Sequence, residues 1–157
     1  MFVELERLSV EADARYASDD ELDFINGYIQ SFSIRRQTYL KLQALESEII
    51  EQVYTKLRSL DPTLLQNGTE DISDKWKRDT LKVMRYVALT VLIDDPEYLK
   101  SQFLIWFQTV MQAFNAERRC HATYHIMQQV VKQVLEPQES ALVIPVLELN
   151  RSLLGKK

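Results

Sequence analysis

Only three glycines and four prolines punctuate a chain of 157 residues, too few to supply the many turns of a β-rich fold. They are read as falling between segments of helical periodicity, so helices joined by short loops are the expected architecture. A first segment from about Phe2 to Ala14 sets Val3, Leu5, Leu8 and Val10 among charges, and Ser18-Asp19-Asp20-Glu21 supplies an N-cap followed by acidic first-turn residues. Two short helices are predicted there. From about Ser33 to Leu60 apolar residues such as Ile34, Leu45, Ile49, Val53 and Leu57 recur at steps of three and four, giving one long amphipathic helix or two nearly continuous ones that stop at Asp61-Pro62.

The stretch from Pro62 to Ser73, with Asn67-Gly68 and small polar residues, is the one loop of any size, and Ser73 or Asp74 can cap the helix that follows to about Ile93. Asp94-Asp95-Pro96-Glu97 puts proline in the first turn of a further helix, where its missing N–H costs nothing, and that pattern continues through Ala113-Phe114. After a break at Asn115–Arg119, segments of about Cys120–Leu135 and Ser140–Leu154 complete seven or eight helices, closed by Gly155.

With 46% hydrophobic and 27% charged residues, the chain suits one globular domain with a substantial core. A formal net charge of -4 and scattered cations leave no basic surplus for phosphates, so nucleic acid is not an expected partner. A single cysteine, Cys120, excludes an intrachain disulfide. The start Met1-Phe2-Val3-Glu4 lacks the basic and apolar regions of a secretory leader. The most apolar run, Phe103–Phe107, is far shorter than a membrane span and reads as buried core.

Several stretches taken together resemble the phycobiliproteins, the pigmented antenna proteins of cyanobacteria and red algae. Glu11–Leu22 (EADARYASDDEL) is similar to the family's stretch in which an acidic residue and Arg-Tyr-Leu-Ser lead into a Glu-Leu helix start. Lys77-Arg78-Asp79 followed by Met84-Arg85-Tyr86-Val87 is similar to its chromophore-site helix, with a Cys-x-Arg-Asp pattern and then Leu-Arg-Tyr. Asp94-Asp95 and Gln112-Ala113-Phe114 resemble its acidic turn and the end of its next helix. The likeness runs over residues 3 to 154 and implies an all-α, globin-like body of about residues 33–154 behind an N-terminal helical hairpin of about residues 1–32, in one domain spanning residues 1–157. It also implies photosynthetic antenna work in the cyanobacterial cytoplasm or plastid stroma, peripheral to thylakoids through the phycobilisome, with no membrane insertion.

The resemblance carries site expectations. Asp79 takes the place of the carboxylate that accepts hydrogen bonds from the central bilin nitrogens, and Arg78 that of the residue pairing a propionate. Trp76 stands where the thioether-forming cysteine belongs, so no covalent pigment is expected at the usual anchor, and the loop Leu64–Ser73 looks shorter than the one covering the bilin. The indole can fill part of the pocket itself. The plain alternative makes Arg78 and Asp79 solvent-facing residues in weak pairs with Lys75 or Lys82. Asp13 and Arg85 match a salt bridge between the hairpin of one subunit and the body of its partner, so that Leu5, Leu8, Asp13 and Arg85 mark a surface for phycobiliprotein subunits or a second copy of this chain.

His121 and His125 lie four apart beside Cys120, a spacing that can give two metal ligands, but nothing else in the sequence completes the set, and the pocket helix has no histidine for heme. Cys120 alone reads as a buried inert thiol rather than a displaced bilin anchor. No phosphate loop, nucleophile elbow or triad is present. The leading expectation is a non-pigmented binding protein acting on phycobilisome subunits in assembly, turnover or regulation; the alternative is a noncovalent tetrapyrrole binder or a bilin-acting enzyme.

Overall fold

The computed structural model describes residues 1–155. Helix α1 covers Phe2–Glu11 and α2 covers Asp19–Leu60. A 3-10 turn at Pro62–Leu65 follows, then a two-stranded ribbon of β1 (Gln66–Asn67) and β2 (Glu70–Asp71). Helix α3 is Ser73–Ile93 and α4 is Pro96–Leu99; a π-helical turn over Lys100–Leu104 joins α4 to α5, Ile105–Ala113. Helices α6, Glu117–Val134, and α7, Pro137–Leu154, finish the fold. The all-α class expected from the sequence holds.

Local chemistry sets most boundaries. Ser18 caps α2, its hydroxyl accepting from the N–H of Glu21 while the Glu21 carboxylate accepts from the N–H of Ser18. Asp61 stops α2 in an extended conformation, and Pro62 cannot continue the helix. Asp95 caps α4, with Pro96 in its first turn. Other boundaries differ from the sequence reading. Neither Ser73 nor Asp74 caps α3: the N-cap position is Ile72, and the carboxylate of Asp71 accepts from the N–H of Ser73. Helix α6 starts at Glu117 and α7 at Pro137, each three residues earlier than expected, the latter through a capping box of Glu136 and Glu139. Pro145 sits inside α7, where it faces solvent without ending the helix. The turn at Gly68 adopts a left-handed φ of 63°, which closes the short ribbon within the predicted loop.

The largest difference lies in α2. No separate second helix ends near residue 32; the helix runs unbroken for 42 residues, about 63 Å at the rise of an α-helix, because Gly27 weakens it locally without stopping it. What changes along it is burial. No side chain before Thr38 is buried, whereas from Leu42 onward Ile49, Val53 and Leu57 pack wholly inside against α3, α6 and α7. Residues 1–37 thus form an arm, and the rest of the described chain a closed core. Inside that core, the Glu139 carboxylate accepts from Lys41 at 2.8 Å, Gln37 at 3.1 Å and the N–H of Glu136 at 2.9 Å, which ties the start of α7 to α2. Burial pushes its pKa up, but these donors outweigh it and hold the group below the usual carboxylate range.

Asp95 fixes the position of α1. Its carboxylate is 2% exposed and accepts from the N–H of Val3 at 2.9 Å and the N–H of Tyr98 at 3.0 Å, so one side chain caps α4 and holds the first turn of α1. Burial raises its pKa, and the two N–H donors with the terminal amine of Met1 more than reverse the shift. A lowered folded-state pKa means stabilisation that is complete above the unfolded value of 3.8 and is lost as the pH falls through the folded value. Asp95→Ala is therefore expected to release α1, seen as faster tryptic cleavage after Arg15 with the core still resistant. In the native protein the same release is expected on acidification below the ordinary aspartate range, followed by pepsin cleavage within α1. Unchanged cleavage in both would show that the arm is held by other contacts.

Candidate functional site

A cavity of about 500 Å³ opens between α3, the π-helical turn, α5 and the first turns of α6, with the ribbon loop at one edge. Helix α3 lines it along one face, with Lys75, Asp79, Lys82 and Tyr86 at steps of three and four and Trp76, Thr80 and Val83 beside them. The extra residue of the π-helical turn shifts the register of the following helix. Phe103 is consequently buried, with its ring stacked on Tyr86 at 4.3 Å and on Phe107 at 4.8 Å. The run Phe103–Phe107 is not the buried core expected from its composition: Ile105 and Trp106 are 56% and 63% exposed, because a helix cannot bury five consecutive residues on one face.

Trp76 forms part of the cavity wall. Its indole is buried, donates from Nε1 to Thr123 Oγ1 at 3.1 Å and lies 6.1 Å from the Tyr54 ring, so the ring is pinned aside and the cavity stays open. Asp79 is half-buried and lines the cavity; among the described residues its carboxylate accepts no hydrogen bond and makes no ion pair. Tyr124 lines the same space, and burial, then Cys120 and Asp79, push its phenol well above the ordinary range, so it keeps its proton. Arg78 departs from its expected place. It is exposed and lies outside the lining, while Lys75, Lys82 and Arg119 bring cations to the cavity.

Cys120 also lines the cavity, but burial pushes its thiol up to about 12, with Arg119 opposing and Glu117 adding to the shift. It is a protonated, poorly nucleophilic thiol at neutral pH. His121 and His125 do not join it in a metal site: His121 Nε2 lies 2.6 Å from an Arg151 nitrogen, His125 is exposed beside Gln129, and no metal-ligating cluster occurs among the described residues.

The structure does not bring Asp13 and Arg85 together within the chain. Arg85 forks onto Glu46 at 2.8 and 3.0 Å, holding that carboxylate below its usual range, and Asp13 is exposed beyond the end of α1. Leu5 is exposed and Leu8 half-buried. No helix among the described residues is long and apolar enough to cross a membrane.

The family description "Phycobilisome protein" matches residues 8–154. The chain belongs to the phycobilisome protein family. The all-helical, globin-like body is that of this family. Among curated proteins none matches the chain. The bilin implied by the sequence resemblance would lie against α3, which lines this cavity. The cavity's residues fit such a group in part: the carboxylate of Asp79, the stacked aromatic wall and three nearby cations suit a flat, N–H-bearing dianion, and the one thiol in the lining, Cys120, is protonated.

Sequence spacing alone could have singled out Lys75 and Lys82 with Asp79, since all three share a helix face. Nothing local marked Arg119, Phe103 or Glu46, which reach their places through tertiary packing. Thr123→Val is expected to cost about 1 kcal/mol through the orphaned indole N–H, measured by denaturant unfolding, with a shift in Trp76 emission. A stability equal to that of the native protein would mean that the indole is held by packing alone.

Proposed function

We propose that this protein is a non-pigmented member of its family that binds phycobilisome subunits through its N-terminal arm, in assembly, turnover or regulation. One observation carries the reading: no side chain before Thr38 is buried, yet Phe2, Val3, Leu5, Val10, Leu22, Ile29 and Phe32 are all more than a third exposed. Exposed apolar side chains in that number along one segment are a mark of a partner surface. Leu5 and Leu8 supply apolar contact, and Asp13 with Arg85 supplies charge. Arg85 is paired with Glu46 in the free chain, so engagement of a partner carboxylate exchanges one ion pair for another, and its Coulombic gain at this exposed site is small. The apolar face, rather than the Asp13–Arg85 pair, is the larger contributor.

Leu5→Asp is expected to abolish co-elution with phycobilisome subunits while leaving the unfolding midpoint nearly unchanged, because α1 buries no side chain. Arg85→Glu is expected to weaken capture less. Capture of both variants at the native level would refute the arm as the binding surface.

A second reading rests on the cavity. Asp79, with Lys75 and Lys82 but not Arg78, lines the cavity; on this reading its carboxylate accepts from the pyrrole N–H groups of a noncovalently held tetrapyrrole and the two lysines pair with the pigment's carboxylates. Pigment addition is then expected to give a red-shifted visible band that is lost in acidic urea and much reduced in Asp79→Ala. A colourless protein after incubation with phycocyanobilin would dispose of this reading and leave the first untouched.

A further inference from the structure

Helix α5 is the one helix among the described residues without a charged side chain, and it lies in the longest uncharged run of the chain, residues 101–116. It buries no side chain. After the π-helical turn, Phe107, Val110 and Met111 line the cavity, which leaves Ile105, Trp106, Thr109, Gln112 and Ala113 on an exposed outer face. The outer face of a surface helix ordinarily carries charge. Here Trp106 is 63% exposed, Ile105 56% and Phe114, just past the helix, 55%.

Cations border this face, and no acidic residue sits on it. Lys75 lies 5.0 Å over the Phe114 ring, and Lys82 lines the cavity with Trp106 and makes no ion pair among the described residues. Lys100, 3.7 Å from Glu97, begins the π-helical turn. An indole and apolar side chains in the middle, with lysines at the borders whose stems reach outward, is the arrangement of a helix lying in the headgroup region of a bilayer. The wider charge distribution agrees. Residues 1–32 hold eight acidic and two basic side chains, a net -6, so residues 33–157 carry +2 to reach the chain's -4. Helix α2 runs antiparallel to α3, with Glu51 on Lys77, Glu46 on Arg85 and Arg35 on the Val91 carbonyl. The acidic segment therefore leaves past the C-terminal end of α3, whereas Lys75 stands in that helix's first turn.

We infer that the outer face of α5 docks on an anionic lipid surface, with Ile105, Trp106 and Phe114 entering the boundary between headgroups and acyl chains and Lys75 and Lys82 pairing with lipid phosphates. The helix lies on such a surface and does not cross it. The contact is independent of the arm, whose net negative charge an anionic surface repels. Because apolar burial and charge act together, salt weakens the binding without removing the apolar part.

The test is flotation of the full chain with vesicles of phosphatidylcholine alone and of phosphatidylcholine with about 30% phosphatidylglycerol, which gives a negative surface potential. The native protein is expected to bind the anionic vesicles at least tenfold more tightly than the neutral ones, a difference that about 500 mM salt largely removes. Of the two tryptophans, Trp76 is buried and Trp106 exposed, so binding is expected to shift the emission to the blue in the native protein and not in Trp106→Ser. Ile105→Ser with Trp106→Ser is expected to lose flotation at a nearly unchanged unfolding midpoint, since both side chains are more than half exposed. Lys75→Glu with Lys82→Glu is expected to lose the preference for anionic vesicles, because each lysine near such a surface contributes about fivefold to binding. No flotation with either composition overturns the inference, as does equal flotation with both. Flotation indifferent to the Ile105 and Trp106 substitutions also overturns it, since lipid then meets another part of the chain. A protein that never floats, but whose Ile105 and Trp106 variant loses capture of phycobilisome subunits, assigns the face to a protein and overturns it as well. Capture by a protein that does not float leaves the arm reading standing.

Discussion

The continuity of α2 is the constraint on which the other features depend. A single helix of 42 residues, capped at Ser18 and stopped at Asp61-Pro62, is buried in the core over its second half, while no side chain of the part before Thr38 is buried. A helix cannot bend back over the body without a proline, a π-bulge or an inserted side chain, and α2 has none before Thr38. The arm buries no side chain, and it is tied to the body at the end of α3, where Tyr28 donates to the Leu92 carbonyl and Arg35 to that of Val91, and at Asp95. Asp95 adds the second fixed point by gripping the first turn of α1, so the arm is an ordered, uncovered surface rather than a loose tail.

The same economy shapes the cavity. A π-helical turn rotates Phe103 and Phe107 into one aromatic stack with Tyr86, and the Trp76 indole is drawn to Thr123 on α6 instead of filling the open space. A half-buried carboxylate without a hydrogen-bond donor, Asp79, is left beside three cations. In a densely packed interior such a volume is uncommon, and an unfilled space lined by aromatic rings and charge is suited to a ligand or to part of a partner.

Capping and turn chemistry were legible in the sequence, since Ser18 with Glu21, Asp61-Pro62 and Asp95-Pro96 act within a few residues of themselves. The core face of α2 from Leu42 to Leu57 followed from periodicity, and Asp79 and Trp76 were placed in the pocket by family resemblance. Features that depend on distant parts of the chain were not legible. Apolar composition does not say which side of Phe103–Phe107 meets the core, and the register change in the π-helical turn has no sequence mark. Arg78 and Lys82 are both cations on α3, and their spacing from Asp79 separates them only once tertiary packing has turned the Asp79 face toward the cavity. Arg85 was assigned to a partner, but Glu46, 39 positions earlier, reaches it first.

The central claim is that residues 1–37 are a surface completed by another protein. Hydrogen exchange of the arm, compared with and without added phycobilisome subunits, tests it most directly. Amides of α1 and of α2 before Thr38 have no packed core above them, so they are predicted to exchange quickly in the free protein and to slow by at least tenfold in the complex, while the core helices change little. Equal exchange of the arm in both states, under conditions where the subunits are bound, would contradict it.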